Sequence, residues 1–210
     1  MKKIQIVLTA LCACGIFSFA QNAVSQDYTM KNKNVLVTYF SRTGENYNVG
    51  KISKGNTRII AEMIAEETGG KLFQIEPVNP YPDEYNACVD IAKTEKENKS
   101  RPAIKGDIAV EEYDVIYIGY PNWWGDMPMP VYTFIEKHDW QGKTVIPFCT
   151  HEGSGLSDTE NKIKKACDGA TVLNGLAIRG TTAQKSQEQA RKTTKGWLAG
   201  WYIPLHVAHS

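Results

Sequence analysis

Two short stretches gather residue types that hold a phosphate. Ser41-Arg42-Thr43-Gly44 and Gly55-Asn56-Thr57 combine hydroxyls and glycines, and the second opens an amphipathic segment with Ile59, Ile60, Met63 and Ile64 on one face. Backbone N–H groups in such a loop, together with the positive end of a helix dipole, favour an anion. The loop has no Lys and no Gly-x-x-x-x-Gly-Lys spacing, so it is not a nucleoside triphosphate loop. Arg42 is its nearby cation. Neutral donors with so little charge suit a monophosphate; an ordinary capped turn is the alternative.

A second stretch, Tyr120-Pro121-Asn122-Trp123-Trp124-Gly125-Asp126-Met127-Pro128, places two tryptophans beside a glycine and between prolines. By position these tryptophans do not belong to the core. Flat aromatic groups there suit stacking on a flat ligand, and Gly125 lets backbone approach it closely. The alternative is a packing corner. A third stretch, Thr150-His151-Glu152-Gly153-Ser154-Gly155, is again glycine-rich. It fails as a dinucleotide fingerprint because Asp158 stands where a third glycine is needed. It fails as a hydrolase elbow because Glu152 occupies the first glycine position. A phosphatase loop starting at Cys149 would need an arginine near Gly155, and there is none. His151 is either a ligand contact or a solvent-facing loop residue.

The elements that must position these loops alternate regularly. Continuous apolar runs predict strands at Val35–Phe40, Lys71–Glu76, Val115–Tyr120, Thr144–Thr150 and Thr171–Ile178. Helical periodicity predicts helices over Asn56–Thr68, Asp83 to about Asn98, Pro128–His138 and Thr182–Leu198. Gly69-Gly70 stops the first of these. Tyr85, Cys88 and Ala92 form the apolar side of the second. Ser157-Asp158-Thr159-Glu160 reads as a capping box opening a further helix. Pro147 argues for a bulge or an edge in the fourth strand. Strands that are apolar on both faces and alternate with helices imply an α/β fold with a parallel sheet covered on both sides. In such sheets ligands bind at the carboxyl ends of the strands, where all three loops lie.

The chain has 210 residues and 42% hydrophobic content, enough for one domain with a full core. Its start reads as an address rather than as fold: a basic Met1-Lys2-Lys3, an apolar Ile4–Ala20, and small residues at Ser18-Phe19-Ala20. The expectation is a signal peptide over 1–20, a flexible leader over 21–33, the domain over 34–198 and a tail over 199–210. An exported, periplasmic protein follows, with no membrane span after cleavage. Alternatives are an uncleaved anchor, or a membrane-anchored lipoprotein lipidated at Cys14 within Leu11-Cys12-Ala13-Cys14. Loss of residues 1–20 removes Lys2 and Lys3 and no acid, so the formal charge moves from +1 to −1, with 22 basic against 23 acidic residues. A near-neutral chain gives no electrostatic case for nucleic acid. Cys88, Cys149 and Cys167 have no Cys-x-x-Cys spacing and read as small buried residues, and the dispersed histidines offer no metal site.

Taken together, Tyr39-Phe40-Ser41-Arg42-Thr43-Gly44, Gly55-Asn56-Thr57, Gly119 to Gly125, and Pro147 to Gly155 make the chain resemble the flavodoxins, in a branch with an enlarged phosphate loop. The resemblance covers about residues 34–198. It implies a doubly wound, five-stranded parallel sheet of order 2-1-3-4-5 that binds FMN. By it, Ser41, Arg42, Thr43, Gly44, Asn56 and Thr57 surround the phosphate. Pro121, Asn122, Trp123, Trp124 and Gly125 lie against the ring system, and Thr150, His151, Gly153 and Ser154 border it. No residue is assigned a catalytic role. The function implied is electron transfer with a redox partner protein or small electron acceptor; an FMN-dependent NAD(P)H:quinone-type oxidoreductase is the alternative. The chain departs from typical flavodoxins in its near-neutral charge, its export signal and the segment Glu45–Lys54, which splits the phosphate loop.

Overall fold

A computed structural model of the chain describes residues 33–200. The expected signal segment, Cys14, residues 21–32 of the leader and residues 201–210 of the tail lie outside the described residues. In chain order the elements are β1 (Val35–Tyr39), β2 (Gly44–Asn46), β3 (Gly50–Ile52), α1 (Asn56–Thr68), β4 (Lys71–Gln74), β5 (Glu76–Pro77), α2 (Tyr85–Glu97), β6 (Ile104–Lys105), β7 (Val115–Pro121), α3 (Met129–Ile135), β8 (Thr144–His151), α4 (Thr159–Ala166), β9 (Thr171–Val172), β10 (Leu176–Arg179), α5 (Gly180–Lys185) and α6 (Gln187–Ala199).

The central sheet runs β10-β8-β7-β1-β4, and its pairings are parallel. Counting only the long strands, this is the 2-1-3-4-5 order. The order reverses at β1, so the loops after β1 and β7 diverge and leave a crevice at their carboxyl ends. Alternation along β1 divides the core. Val35, Val37 and Tyr39 pack with α1, α5 and α6 residues including Ile60, Ile64, Ala183 and Leu198. Leu36 and Phe40 pack on the opposite face with Val131, Phe134 and Ile163 of α3 and α4. The α1 helix stops as its sequence dictates: Gly69 takes the left-handed conformation (φ 69°) and donates its N–H to Ala65 O at 2.8 Å.

Four expectations need correction. First, β8 is an interior strand in regular register with β7, and Pro147 sits opposite Ile118. The irregularity falls on the neighbour instead. The expected strand over Thr171–Ile178 is two pieces, with β9 pairing Thr144 and Val145 and β10 resuming at Phe148. The break, Leu173-Asn174-Gly175, lies beside Pro147, and a side chain on Gly175 would sit 2.9 Å from Pro147 O. A proline without an N–H is tolerated inside the sheet because its neighbour leaves the ladder there.

Second, the capping box does not form. Ser157 is left-handed (φ 52°) and its Oγ accepts from Asn122 Nδ2 at 2.9 Å. Glu160 Oε1 accepts from Gly175 N at 2.6 Å. Third, the last helix is two, because Ser186 leaves helical geometry (φ −142°, ψ 54°) and its carbonyl starts a new ladder by accepting from Ala190 N at 3.0 Å. Fourth, Trp123 is partly a core residue: its ring meets Phe40 and Tyr81 edge-to-face at 5.3 and 5.1 Å.

Candidate cofactor site

The two halves of the split loop are brought into contact by a glycine. A Cβ on Gly55 would lie 2.5 Å from Arg42 O and would overlap Ser41 Oγ. Only a residue without a side chain lets the loop after β1 close on the start of α1. The helix ladder then begins with Ile59 N donating to Gly55 O (3.3 Å), leaving the amides of Asn56 and Thr57 outside it. Arg58 N donates to Ser41 Oγ at 3.1 Å, and the Thr57 and Thr150 hydroxyls are 2.8 Å apart. Loop one and loop three therefore meet at this helix end.

The intervening Glu45–Lys54 segment is a hairpin, β2 against β3, with Asn48 left-handed (φ 62°) at its turn. Arg42 fastens it. Its guanidinium donates to Glu45 O (2.5 Å), Pro82 O (2.7 Å) and Asp83 O (2.9 Å). Glu45 N donates to Asp83 O at 2.8 Å, and the Glu45 carboxylate accepts from Tyr85 N at 3.2 Å. Gly44 (φ 77°) packs against Asp83, leaving no room for a Cβ. The hairpin is thus tied to the start of α2, where the Glu84 carboxylate caps the helix by accepting from Asn86 N and Ala87 N.

Loop two turns on a two-residue reversal. Trp123 N donates to Asp126 O (2.9 Å) and Asp126 N to Trp123 O (3.0 Å), with Trp124 at φ 56° and Gly125 at φ 71°. Two positive φ values define a type I′ turn, which favours Asn-Gly. A tryptophan at the first position is out of place there, and its indole is 52% exposed. The loop is held from below. Gly125 N donates to Asn122 Oδ1 at 3.0 Å, and Asp126, buried, pairs with Lys162 Nζ at 2.6 Å and accepts from Tyr132 OH at 2.9 Å.

In loop three, His151 Nδ1 accepts from both Gly153 N (2.9 Å) and Gly155 N (3.1 Å). Burial, and secondarily the charge of Arg179, lower the His151 pKa and favour this neutral acceptor form. Glu152 turns the other way and accepts from Thr181 N at 2.6 Å, at the start of α5.

A cavity of about 450 Å³ spans these loops, within the usual range for a small-molecule site. Of the residues singled out from sequence, Arg42, Asn56, Pro121, Asn122, Trp123, Trp124, Thr150, His151, Gly153 and Ser154 line it. Ser41, Thr43, Gly44, Thr57 and Gly125 do not; Thr57 is buried behind it and Thr43 is exposed. Sequence reasoning missed Asn46, Tyr47, Tyr85, Cys88, Val89, Ala92 and Glu152, which line it as well. The apolar stripe of α2 was the available signal. One end of this space, at Asn56 and Thr150, borders the start of α1, where amides and hydroxyls gather with little positive charge, and the other offers aromatic faces. That arrangement suits a ligand with an anion at one end and a flat ring at the other. Among the described residues there is no cluster of His, Cys, Asp and Glu suited to a metal ion, and no helix long and apolar enough to cross a membrane.

The family model described as Flavodoxin matches residues 34–193. Among solved structures, a provisionally assigned flavoprotein from Bacteroides eggerthii is 31% identical, with 82% of this chain and 100% of that chain covered and a TM-score of 0.65. A second from Bacteroides uniformis is 32% identical over 80% of this chain and 99% of that one, with a TM-score of 0.64. A flavoprotein in complex with FMN from Lactobacillus acidophilus is 24% identical over 74% of this chain and 99% of that one, with a TM-score of 0.55. None of the proteins with curated descriptions matches.

Proposed function

Because the chain belongs to the flavodoxin family, we propose that it binds FMN in the cavity at the strand ends and serves as an electron-transfer flavoprotein. The observation that carries this reading is the closure of the split loop on Gly55, which brings the Ser41 hydroxyl to the start of α1, where it accepts from Arg58 N and where the amides of Asn56 and Thr57 lie outside the helix ladder. A phosphate monoester dianion accepts from such donors without needing a paired cation. Arg42 is occupied with three carbonyls, consistent with a loop that binds by neutral hydrogen bonds.

FMN, when bound, supplies the reversible redox chemistry. The chain's own part is placement and exclusion of water. Trp123, clamped by Phe40 and Tyr81, offers a fixed aromatic wall, and Trp124 offers an exposed one. Asn122 and the Lys162–Asp126 pair hold the Gly125 backbone in its turn. Neutral His151 keeps loop three folded.

The basic Met1-Lys2-Lys3 and the apolar run Ile4–Ala20 support an exported, periplasmic protein that meets a redox partner protein or a small electron acceptor outside the cytoplasm. Three experiments test the whole. The purified protein is expected to be yellow, and the released flavin to co-migrate with FMN; a colourless protein that binds no added FMN overturns the reading. The FMN-loaded protein alone is expected not to oxidise NADH or NADPH steadily with a quinone; sustained turnover would make it an oxidoreductase instead. Fractionation is expected to place it outside the cytoplasm.

A further inference from the structure

The start of α1 is braced from the far end of the chain. α5 follows β10 directly and buries Ala183 in the core beside Ile60 and Ile64 of α1. From that anchor the next side chain, Gln184, reaches two groups that lie 130 and 128 residues earlier. Its Nε2 donates to Lys54 O at 2.7 Å, at the end of the inserted segment, and to Asn56 Oδ1 at 2.8 Å.

These two bonds fix which way the Asn56 side chain faces. A backbone carbonyl can only accept, so the Gln184 atom that bonds Lys54 O must be its NH2. That NH2 can only donate, so the Asn56 atom facing it must be the amide oxygen. Asn56 Nδ2 is left over as a donor, and among the described residues it has no partner. Gly180 makes room for it: a Cβ there would lie 2.3 Å from Asn56 Nδ2. Asn56 lines the cavity, and Gln184 does not. The carboxylate nearby is drawn the same way. Glu152 Oε1 accepts from Thr181 N at 2.6 Å and Oε2 from Thr181 Oγ1 at 3.2 Å, with Arg179 Nη1 3.9 Å away. α5 thus takes up the acceptor oxygens of two cavity-lining residues and leaves a neutral NH2 beside them.

We propose that Gln184 is a positioning residue that acts through Asn56 to select a phosphate monoester over its unphosphorylated counterpart. The inference rests on FMN binding with its phosphate at the start of α1. An unbraced Asn56 amide can turn over and present either end. With Nδ2 forward it gives a phosphate dianion a charge-assisted hydrogen bond; with Oδ1 forward it sets a lone pair against the anion. Gln184 removes that choice before the ligand arrives, so binding carries no further cost of ordering the side chain.

The test titrates FMN, and riboflavin, which has no phosphate, into the purified full chain and its variants, following flavin fluorescence; urea unfolding establishes that each variant folds. Gln184→Met removes the amide and keeps its length. FMN affinity is expected to fall about fivefold to tenfold, and riboflavin affinity to stay within about twofold of the parent. In the Asn56→Ala background, where FMN is already held more weakly, adding Gln184→Met is expected to cost less than about a further twofold. Gln184→Glu can only accept, so it should turn the Asn56 NH2 toward itself and weaken FMN more than Gln184→Met does; it carries the test if Gln184→Met does not fold. An unchanged ratio of FMN to riboflavin affinity in both variants, with or without a fall in the urea midpoint, makes Gln184 a structural brace only and overturns the inference while leaving the FMN reading standing. Full additivity with Asn56→Ala overturns it as well, since Gln184 would then not act through Asn56. Failure of the parent to bind FMN refutes the function on which it rests.

Discussion

Replacing Gly55 by alanine tests the phosphate end directly. Gly55 has φ −67° and ψ 149°, a conformation open to any residue, so the substitution introduces no backbone strain of its own. Its effect is steric. The new methyl would stand 2.5 Å from Arg42 O, where ordinary contact needs roughly 3.4 Å. Ser41 Oγ can rotate away, but Arg42 O is backbone and Arg42 is anchored through its guanidinium to Pro82 and Asp83. The loop must therefore open by close to 1 Å. That displacement separates Ser41 from the Asn56 and Thr57 amides and weakens about two charge-assisted hydrogen bonds. At roughly 1.5–3 kcal/mol each when lost outright, and half that when merely lengthened, the expected cost is about 1.5–3 kcal/mol. FMN affinity should fall between about 10-fold and 150-fold.

Riboflavin lacks the phosphate and serves as the internal control. Its affinity for the variant should stay within about threefold of the parent, because the aromatic walls are untouched. Overpacking should lower stability by about 1–3 kcal/mol, which urea unfolding would read. Fluorescence titration of both flavins gives the ratio. The reasoning is refuted if the folded variant binds FMN as tightly as the parent, or if it loses riboflavin and FMN in equal measure.

Trp124→Asn places the residue that a type I′ turn favours before Gly125; stability should be unchanged or higher by about 0.5–1 kcal/mol in urea, while FMN affinity falls about tenfold with the loss of a stacking face. Gly196→Ala, in the interior of α6 with nothing within 4 Å of the added methyl, should raise stability by about 0.5–1 kcal/mol. His151 has a folded pKa below its ordinary value, so its contribution is complete above the unfolded pKa of about 6.5 and is lost as pH falls through that value toward the folded one. The urea midpoint should drop between pH 7.5 and pH 5.5, and drop less in His151→Gln. Burial pushes the Cys149 and Cys167 thiols up to about 12, so iodoacetamide at pH 7.5 should label neither in the folded protein and both in urea.

The sequence carries the α/β layering because the three central strands, β1, β7 and β8, are nearly continuous apolar runs, and it carries α1 to both ends because Gly55 and Gly69 punctuate it. Pro147 was misleading for an instructive reason. A proline forbids one N–H bond, but which strand concedes is decided by the neighbour, and here, after Leu173 N has bonded Val145 O, Asn174 and Gly175 step out while β8 runs on. Tyr85, Cys88 and Ala92 show the same limit. Helical spacing reports that a face is covered, and does not say whether protein or ligand covers it. Trp123 and Trp124 are adjacent and chemically alike, yet one is locked against Phe40 and Tyr81 and the other is half in solvent. That division comes from the turn between them and Asp126, whose two positive φ values no local residue preference other than Gly125 announces.

Arg42 changes the meaning of the loop in which it stands. As the loop's nearby cation it reads from sequence as the phosphate's partner, but its donors go to Glu45, Pro82 and Asp83. Removing its charge would therefore act less through lost attraction for an anion than through release of the hairpin, and with it Tyr47 from Tyr85. The same side chain joins the phosphate end of the cavity to the Tyr47–Tyr85 pair at its other edge. An insertion that merely lengthened a loop would need no such fastening, since long flexible loops add little closure entropy. Three carbonyl bonds from one guanidinium, with Glu45 bound to Asp83 and Tyr85, make the insertion a wall of the cavity. A wall built from a split phosphate loop lets the chain enlarge its site without moving the strands that carry it.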